Sequence, residues 1–298
     1  MAFELLWIPA TLFAAATQTA RNVLQRNLTD SLGTVGATLV RFLYGLPFSL
    51  LFLALVAAGS GALPPLPGQG ALAWAACGGL AQIGGTAMML AAMRRRSFAV
   101  TIAMLKAEPV LVALAGVYML NDLPSVADAA GIATATCGVV LVSLSPTRGR
   151  GGGADPGAAG LGLAAGALFA VAAVGFRGAI LAVPAANAVL AASTILVVAL
   201  AFQTAVLVFW LMIADRPRLA ATLAAWRASL AAGFTGALAS QFWYIGFALT
   251  SAANVRTLAL VEVPFAHVVS GRLHEAVSRR EIAGMVLIVA GVAVLLLG

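Results

Sequence analysis

Apolar residues fill the chain in blocks of about twenty, the length a helix needs to cross the roughly 30 Å hydrocarbon core of a bilayer. Between the blocks stand short breakers. GSGALPPLPGQG (59–70) is too rich in glycine and proline for a helix, and NDLPS (121–125) turns around Asp122 and Pro124. SPTRGRGGGADPG (145–157) is a flexible glycine-rich linker at mid-chain. The pattern predicts ten spans, at 4–26, 32–58, 71–93, 97–119, 125–145, 158–182, 187–213, 226–248, 250–271 and 279–298.

Composition agrees. Hydrophobic residues make up 62% of the chain and charged ones 9%, where a soluble domain has about a quarter. The fold class expected is an all-α integral membrane protein with almost no extramembrane domain. The net charge of +7 does not imply nucleic acid, because the basic residues mostly flank apolar runs. Cys77 and Cys137 lie inside apolar segments and form neither a disulfide nor a metal pattern. The start, MAFELLWIPA, lacks the basic n-region of a cleavable signal. No P-loop and no His/Cys/Asp cluster at catalytic spacing is present, so neither an enzyme nor a cofactor is expected.

Arginine alternates between loops. Arg26, the triplet Arg94, Arg95 and Arg96, then Arg148, Arg150, Arg216, Arg218, Arg272, Arg279 and Arg280 fall in every second loop, and the others carry Asp122 and Asp128. The positive-inside rule places the arginine loops in the cytoplasm and both termini outside, in a bacterial inner membrane.

The halves also match each other. LFAAATQTAR (12–21) aligns with LFAVAAVGFR (168–177), so that Arg21 falls on Arg177. AMRRRSFAVTIAMLKAEP (92–109) aligns with ALTSAANVRTLALVEVP (248–264), and Gly131 and Gly138 correspond to Gly284 and Gly291. Five spans per half is odd, so the second half must enter the membrane inverted. The division expected is 1–145 for the first five-helix repeat, 146–157 for the linker and 158–298 for the second. Inverted repeats are a hallmark of secondary transporters, whose sites lie near the midplane at the repeat interface.

Two five-helix repeats, a KxEP or VEVP segment in each fourth span, an acidic residue at the next turn (Asp122, Glu275) and a G-x6-G fifth span resemble the EamA-type transporters of the drug/metabolite transporter superfamily. The resemblance covers nearly the whole chain. It implies alternating access and a central cavity lined by spans 1, 3, 4, 6, 8 and 9. One departure is that Glu108 adjoins its proline whereas Glu262 precedes its own by two residues, so the two carboxylates face different directions.

Polar residues inside the spans are the candidate site. A charge at the bilayer centre costs at least about 2.5–3.5 kcal/mol, so Lys106, Glu108 and Glu262 must face a partner, the interior or water. Lys106 can reach Glu262 across the repeat interface, either as a static salt bridge or as a pair for which substrate or a proton competes. Glu262, Glu108 and His267 are the candidates for proton coupling. Pro109 and Pro264 free the carbonyls of Leu105 and Leu260. Gln18, Arg21, Asn22 and Gln25 recur at i, i+3, i+4 and i+7, which is one face of the first span. Gln82 and Thr86 in span 3, Gln241, Trp243 and Tyr244 in span 8, and Asn254 and Arg256 in span 9 complete the set, with Phe242 or Trp243 expected at the interfacial belt. Of these, Lys106, Glu262, Gln18, Asn22, Gln82, Gln241, Trp243, Tyr244 and Arg256 are the expected substrate contacts.

Arg21, Arg41, Lys106, Arg177 and Arg256 outnumber Glu108 and Glu262 within the spans, with Arg21 and Arg177 expected to snorkel toward opposite surfaces. The positive surplus favours a solute bearing carboxylate or phosphate. The function expected is a secondary transporter of small polar metabolites, exporting amino acids or related compounds. The alternatives are an importer or facilitator, a multidrug exporter of lipophilic cations, or a scaffold without transport. Gly162 and Gly166 (GxxxG) and the glycine pairs of spans 5 and 10 allow close helix approach, within one chain or across a homodimer.

Overall fold

A computed structural model describes residues 4–95, 105, 108–143, 156–261, 263 and 279–297. All regular structure among these residues is helical. The helices are α1 (Trp7–Leu43), α2 (Leu46–Ser60), α3 (Gln69–Arg95), α4 (Glu108–Leu120), α5 (Val126–Ser143), α6 (Pro156–Leu181), α7 (Ala188–Ala214), α8 (Arg216–Ala224), α9 (Trp226–Leu249), α10 (Ala252–Leu258) and α11 (Arg279–Leu297). Helix α1 is a hairpin. Gly33 leaves the helical region at φ 67°, ψ 174°, and Gln25 Nε2 donates to the Ala37 carbonyl at 2.9 Å. In a straight helix those twelve residues would span about 18 Å, so the chain reverses at Gly33. Only glycine takes that φ without strain. The second arm, 34–43, runs on through Tyr44 and Gly45, both right-handed helical, into α2. The break, expected at 27–31, therefore falls at residue 33.

Five described stretches are long and apolar enough to cross a membrane: the 54-residue hairpin Trp7–Ser60, Gln69–Arg95, Gly160–Leu181, Ala188–Ala214 and Arg279–Leu297. Glu108–Leu120, Val126–Val142 and Ala252–Val261 are shorter apolar helices. Helix α8 occupies what the pattern left as a loop. Asp215 caps it by accepting from the Arg218 amide at 3.0 Å, and Pro217 stands in its first turn, where its missing N–H costs nothing.

Three pairs of helices make the main packing: α3 with α6, the first arm of α1 with α9, and α5 with α11. Between α5 and α11 the glycines meet each other. A Cβ on Gly138 would stand 2.5 Å from the Gly284 carbonyl oxygen, and one on Gly291 would stand 2.4 Å from the Ala135 nitrogen. The glycine faces are thus used within the chain. Between α3 and α6 the close approach is at Gly78 and Gly175, where a Cβ on Gly175 would lie 2.9 Å from the Gly78 Cα. Gly166 has only ordinary contact, 3.9 Å to the Leu105 carbonyl oxygen. Phe176, Leu196, Tyr244 and Phe247 anchor the apolar core where α6, α7 and α9 converge.

Candidate functional site

One stripe of α9 organises the buried charges. Gly236, Ser240, Trp243 and Phe247 follow at helical spacings of four, three and four, and Thr250 caps the C-terminal end. Arginines from other helices meet this stripe at successive depths. Arg177 of α6 donates from Nε to Asp122 at 2.8 Å, and from NH1 to the carbonyls of Phe247 (2.7 Å) and Thr250. One step deeper, the Arg256 guanidinium of α10 lies 4.3 Å above the Trp243 ring and 5.6 Å from that of Phe247. Its Nε is 3.2 Å from Glu108 Oε1 at the start of α4. Deepest, Arg21 and Arg41 approach the bare α-carbon of Gly236, where a Cβ would stand 3.4 Å from Arg21 Cδ and 3.3 Å from Arg41 Cγ. From Thr250 to Gly236 this column runs about 21 Å along the helix axis.

Arg21 and Arg41 come from the two arms of the α1 hairpin, and only the reversal at Gly33 brings them together. Both are buried, at 2% and 3% exposure. Arg21 donates to Asn22 Oδ1 from Nε (3.2 Å) and NH2 (2.6 Å). Arg41 reaches Thr86 Oγ1 at 3.2 Å and Ser240 Oγ at 3.4 Å. Neither is ion-paired among the described residues. Arg21, Arg41 and Arg256 also lie within electrostatic reach of one another.

The sequence-predicted residues distribute as follows. Gln18 accepts from the Trp243 indole N–H at 2.9 Å, which ties Gln18, Trp243, Arg256 and Glu108 into one chain of contacts. Asn22 belongs with Arg21, and Thr86 with Arg41. Gln82 and Gln241 bond instead to α7. Gln82 Oε1 accepts from Gln203 at 2.8 Å, and Gln241 Nε2 donates to Ser193 at 2.8 Å. The Tyr244 ring packs 4.8 Å from Phe176. Trp243 is buried, and Phe242 packs on Phe13 at 4.7 Å between ring centres. Asn254 donates to Asp128 at 3.0 Å, at the Thr250 end of the column. Lys106, Glu262, Pro264 and His267 lie outside the described residues.

Arg21 does not snorkel. It sits near the middle of its arm and points to α9, bonded to Asn22 and packed over the bare α-carbon of Gly236. Sequence reasoning counted Arg41 among the intramembrane charges but gave it no role. Its signal was a lone arginine in the apolar run TLVRFLYG. Ser240, Phe247 and Gly236 carried no signal of their own beyond their place on the stripe. At the Arg177 end of the column a small cleft lies between Val112, Gly116, Asp122, Val174, Arg177 and Ala252.

An all-helical chain with long apolar helices and charges gathered in its interior is a multi-pass membrane protein. Residues 5–144 match the EamA-like transporter family, the family that the sequence resembles. No curated protein matches the chain. Among 25 matching solved chains, one crystal structure aligns with 100% of this chain and 96% of its own at a TM-score of 0.63 and 18% identity, and it shares the fold alone.

Proposed function

We propose that the protein is a secondary-active transporter of small carboxylate-bearing metabolites, amino acids or related compounds, and that it exports them across a bacterial inner membrane by alternating access. The observation that carries the reading is the column of four guanidiniums along one stripe of α9, in which two carboxylates, Asp122 and Glu108, are paired. A positive interior of this kind attracts anionic groups and repels cations. It also disfavours a lipophilic-cation exporter, because Arg256 already covers the aromatic faces of Trp243 and Phe247 that such a cation would need.

Packing supports two inverted five-helix repeats, 1–145 and 158–298. Exchange spans 1–5 with 6–10 and the contact of α3 with α6 becomes that of α9 with the first arm of α1. The contacts α5–α11, α4–α10 and α2–α7 each map onto themselves. Such a pseudo-twofold arrangement lets one half rock against the other about a site at mid-depth. The match of residues 5–144 to a transporter family fits a non-enzymatic role. Glu108, with Glu262 and His267 from the sequence, is the candidate proton carrier, and Lys106 a further substrate contact.

Proteoliposomes carrying an imposed pH gradient test this. Labelled amino acids or dicarboxylates are expected to move with the gradient, organic cations are not, and E108Q or E262Q is expected to remove the pH drive. If no carboxylate moves under any gradient while organic cations do, the reading is wrong.

A further inference from the structure

Arg21 NH1 and Arg41 Nε are buried donors without a hydrogen-bond partner among the described residues. A buried unsatisfied donor is costly, more so on a charged group, and native proteins keep few of them. Here two lie on neighbouring like charges, over the one position of the α9 stripe that carries no side chain. A Cβ at Gly236 would press on Arg41 Cγ at 3.3 Å and touch Arg21 Cδ at 3.4 Å. A fixed glutamate opposite them would have neutralised the pair at lower cost. Instead their partners are weak and neutral: Asn22, Thr86 and Ser240.

We infer that Arg21 and Arg41, spread over Gly236, form an oxyanion seat that takes the anionic group of a small solute. Guanidiniums suit this, since the one nitrogen that each leaves free, Arg21 NH1 and Arg41 Nε, can donate to a carboxylate or phosphate oxygen at charge-assisted strength. Asn22, Thr86 and Ser240 hold the two planes in place and leave Arg21 NH1 and Arg41 Nε to the ligand. Arg256, the next guanidinium along the stripe, lies toward the Arg177 end. The identity of the solute as cargo rests on the transport reading, while the seat itself is a binding site that can be tested without transport.

The test uses the full chain purified in detergent. Thermal unfolding is followed with sodium glutamate, sodium succinate or sodium phosphate against sodium chloride at matched ionic strength, and with tetraphenylphosphonium chloride. A ligand bound by the native state alone raises the apparent melting temperature. The expected result is a rise with at least one oxyanion and none with the cation. R21Q and R41Q are expected to abolish the rise, and exposed R227Q to keep it. Should either glutamine variant fold poorly, R21K, R41K and G236A keep both charges but alter the fork or its spacing, and each should weaken apparent affinity by about tenfold or more. A rise with phosphate and neither carboxylate keeps the seat and assigns it to phosphorylated solutes. No oxyanion effect on the wild type, or an effect undiminished in R21Q and R41Q, overturns the seat. Carboxylate transport that persists with unchanged affinity in those variants refutes the seat alone. Binding at the seat without transport in sealed vesicles refutes the transport reading alone.

Discussion

Arg256 has two kinds of partner at once, an ion pair to Glu108 and the face of Trp243. Trp243 in turn is fixed by its indole N–H on Gln18. Replacing the indole with a smaller ring, W243F, removes that hydrogen bond and part of the cation–π surface, at a cost of about 1–2 kcal/mol. Placed in an R256Q background, the same substitution should cost less, with a coupling of about 0.5–2 kcal/mol. Denaturant unfolding in detergent of the wild type, both single variants and the double variant measures it. Full additivity would mean that the ring and the guanidinium do not interact. At this scale the sequence was informative about direction and silent about partners. The i, i+3, i+4, i+7 stripe of Gln18, Arg21, Asn22 and Gln25 showed that these side chains turn inward, and all four make buried or half-buried hydrogen bonds. That Gln18 meets Trp243 was not legible, because the two are 225 residues apart and the pairing depends on how α1 crosses α9.

At the scale of elements, glycine decides where backbones can touch. Helices α5 and α11 cross with Gly131, Gly138, Gly284 and Gly291 at the contact, and the obstacles to a larger residue there are backbone atoms. A methyl group at Gly138 would stand 2.5 Å from the Gly284 carbonyl oxygen, so the helices would have to separate. Overpacking of this kind costs about 1–3 kcal/mol. G138A and G291A are each expected to lower the apparent melting temperature, whereas alanine at Gly59, which has nothing within 4 Å, should leave it unchanged. The G-x6-G spacing was visible in the sequence because small residues at a regular interval mark a shared helix face. The hairpin bend was legible only approximately. Ser31, Leu32 and Gly33 lie in a run without a strong breaker, and the bend depends on one glycine with positive φ, against which Arg218 packs. Helix α8 was missed because a capped nine-residue helix with a proline in its first turn looks like a loop when only apolar length is scored.

At the scale of the whole molecule, Arg177 ties three pieces together: α6, the 121–125 turn through Asp122, and the C-terminal end of α9 through two carbonyls. Asp122 belongs to the first half of the chain, and α6 and α9 to the second. On the proposed alternating-access reading, rocking of one half against the other would break this tie, at the end of the arginine column that the positive-inside pattern assigns to the outer side. Breaking it need not be expensive. Arg177 is 14% and Asp122 27% exposed, so water can replace each lost bond as it opens, which is not so for Arg21 or Arg41 at mid-depth. A latch at the surface and fixed charges in the middle are what a moving gate over a stationary site requires. In a background with Cys77 and Cys137 replaced by alanine, D122C/R177C bridged by a short reducible bis-thiol reagent should therefore arrest carboxylate flux in proteoliposomes. Reduction should restore it to the level of the untreated double variant, and either single cysteine given the same reagent should keep its flux. Normal flux through the bridged protein would mean that the tie stays closed throughout the cycle and that the solute leaves by another route.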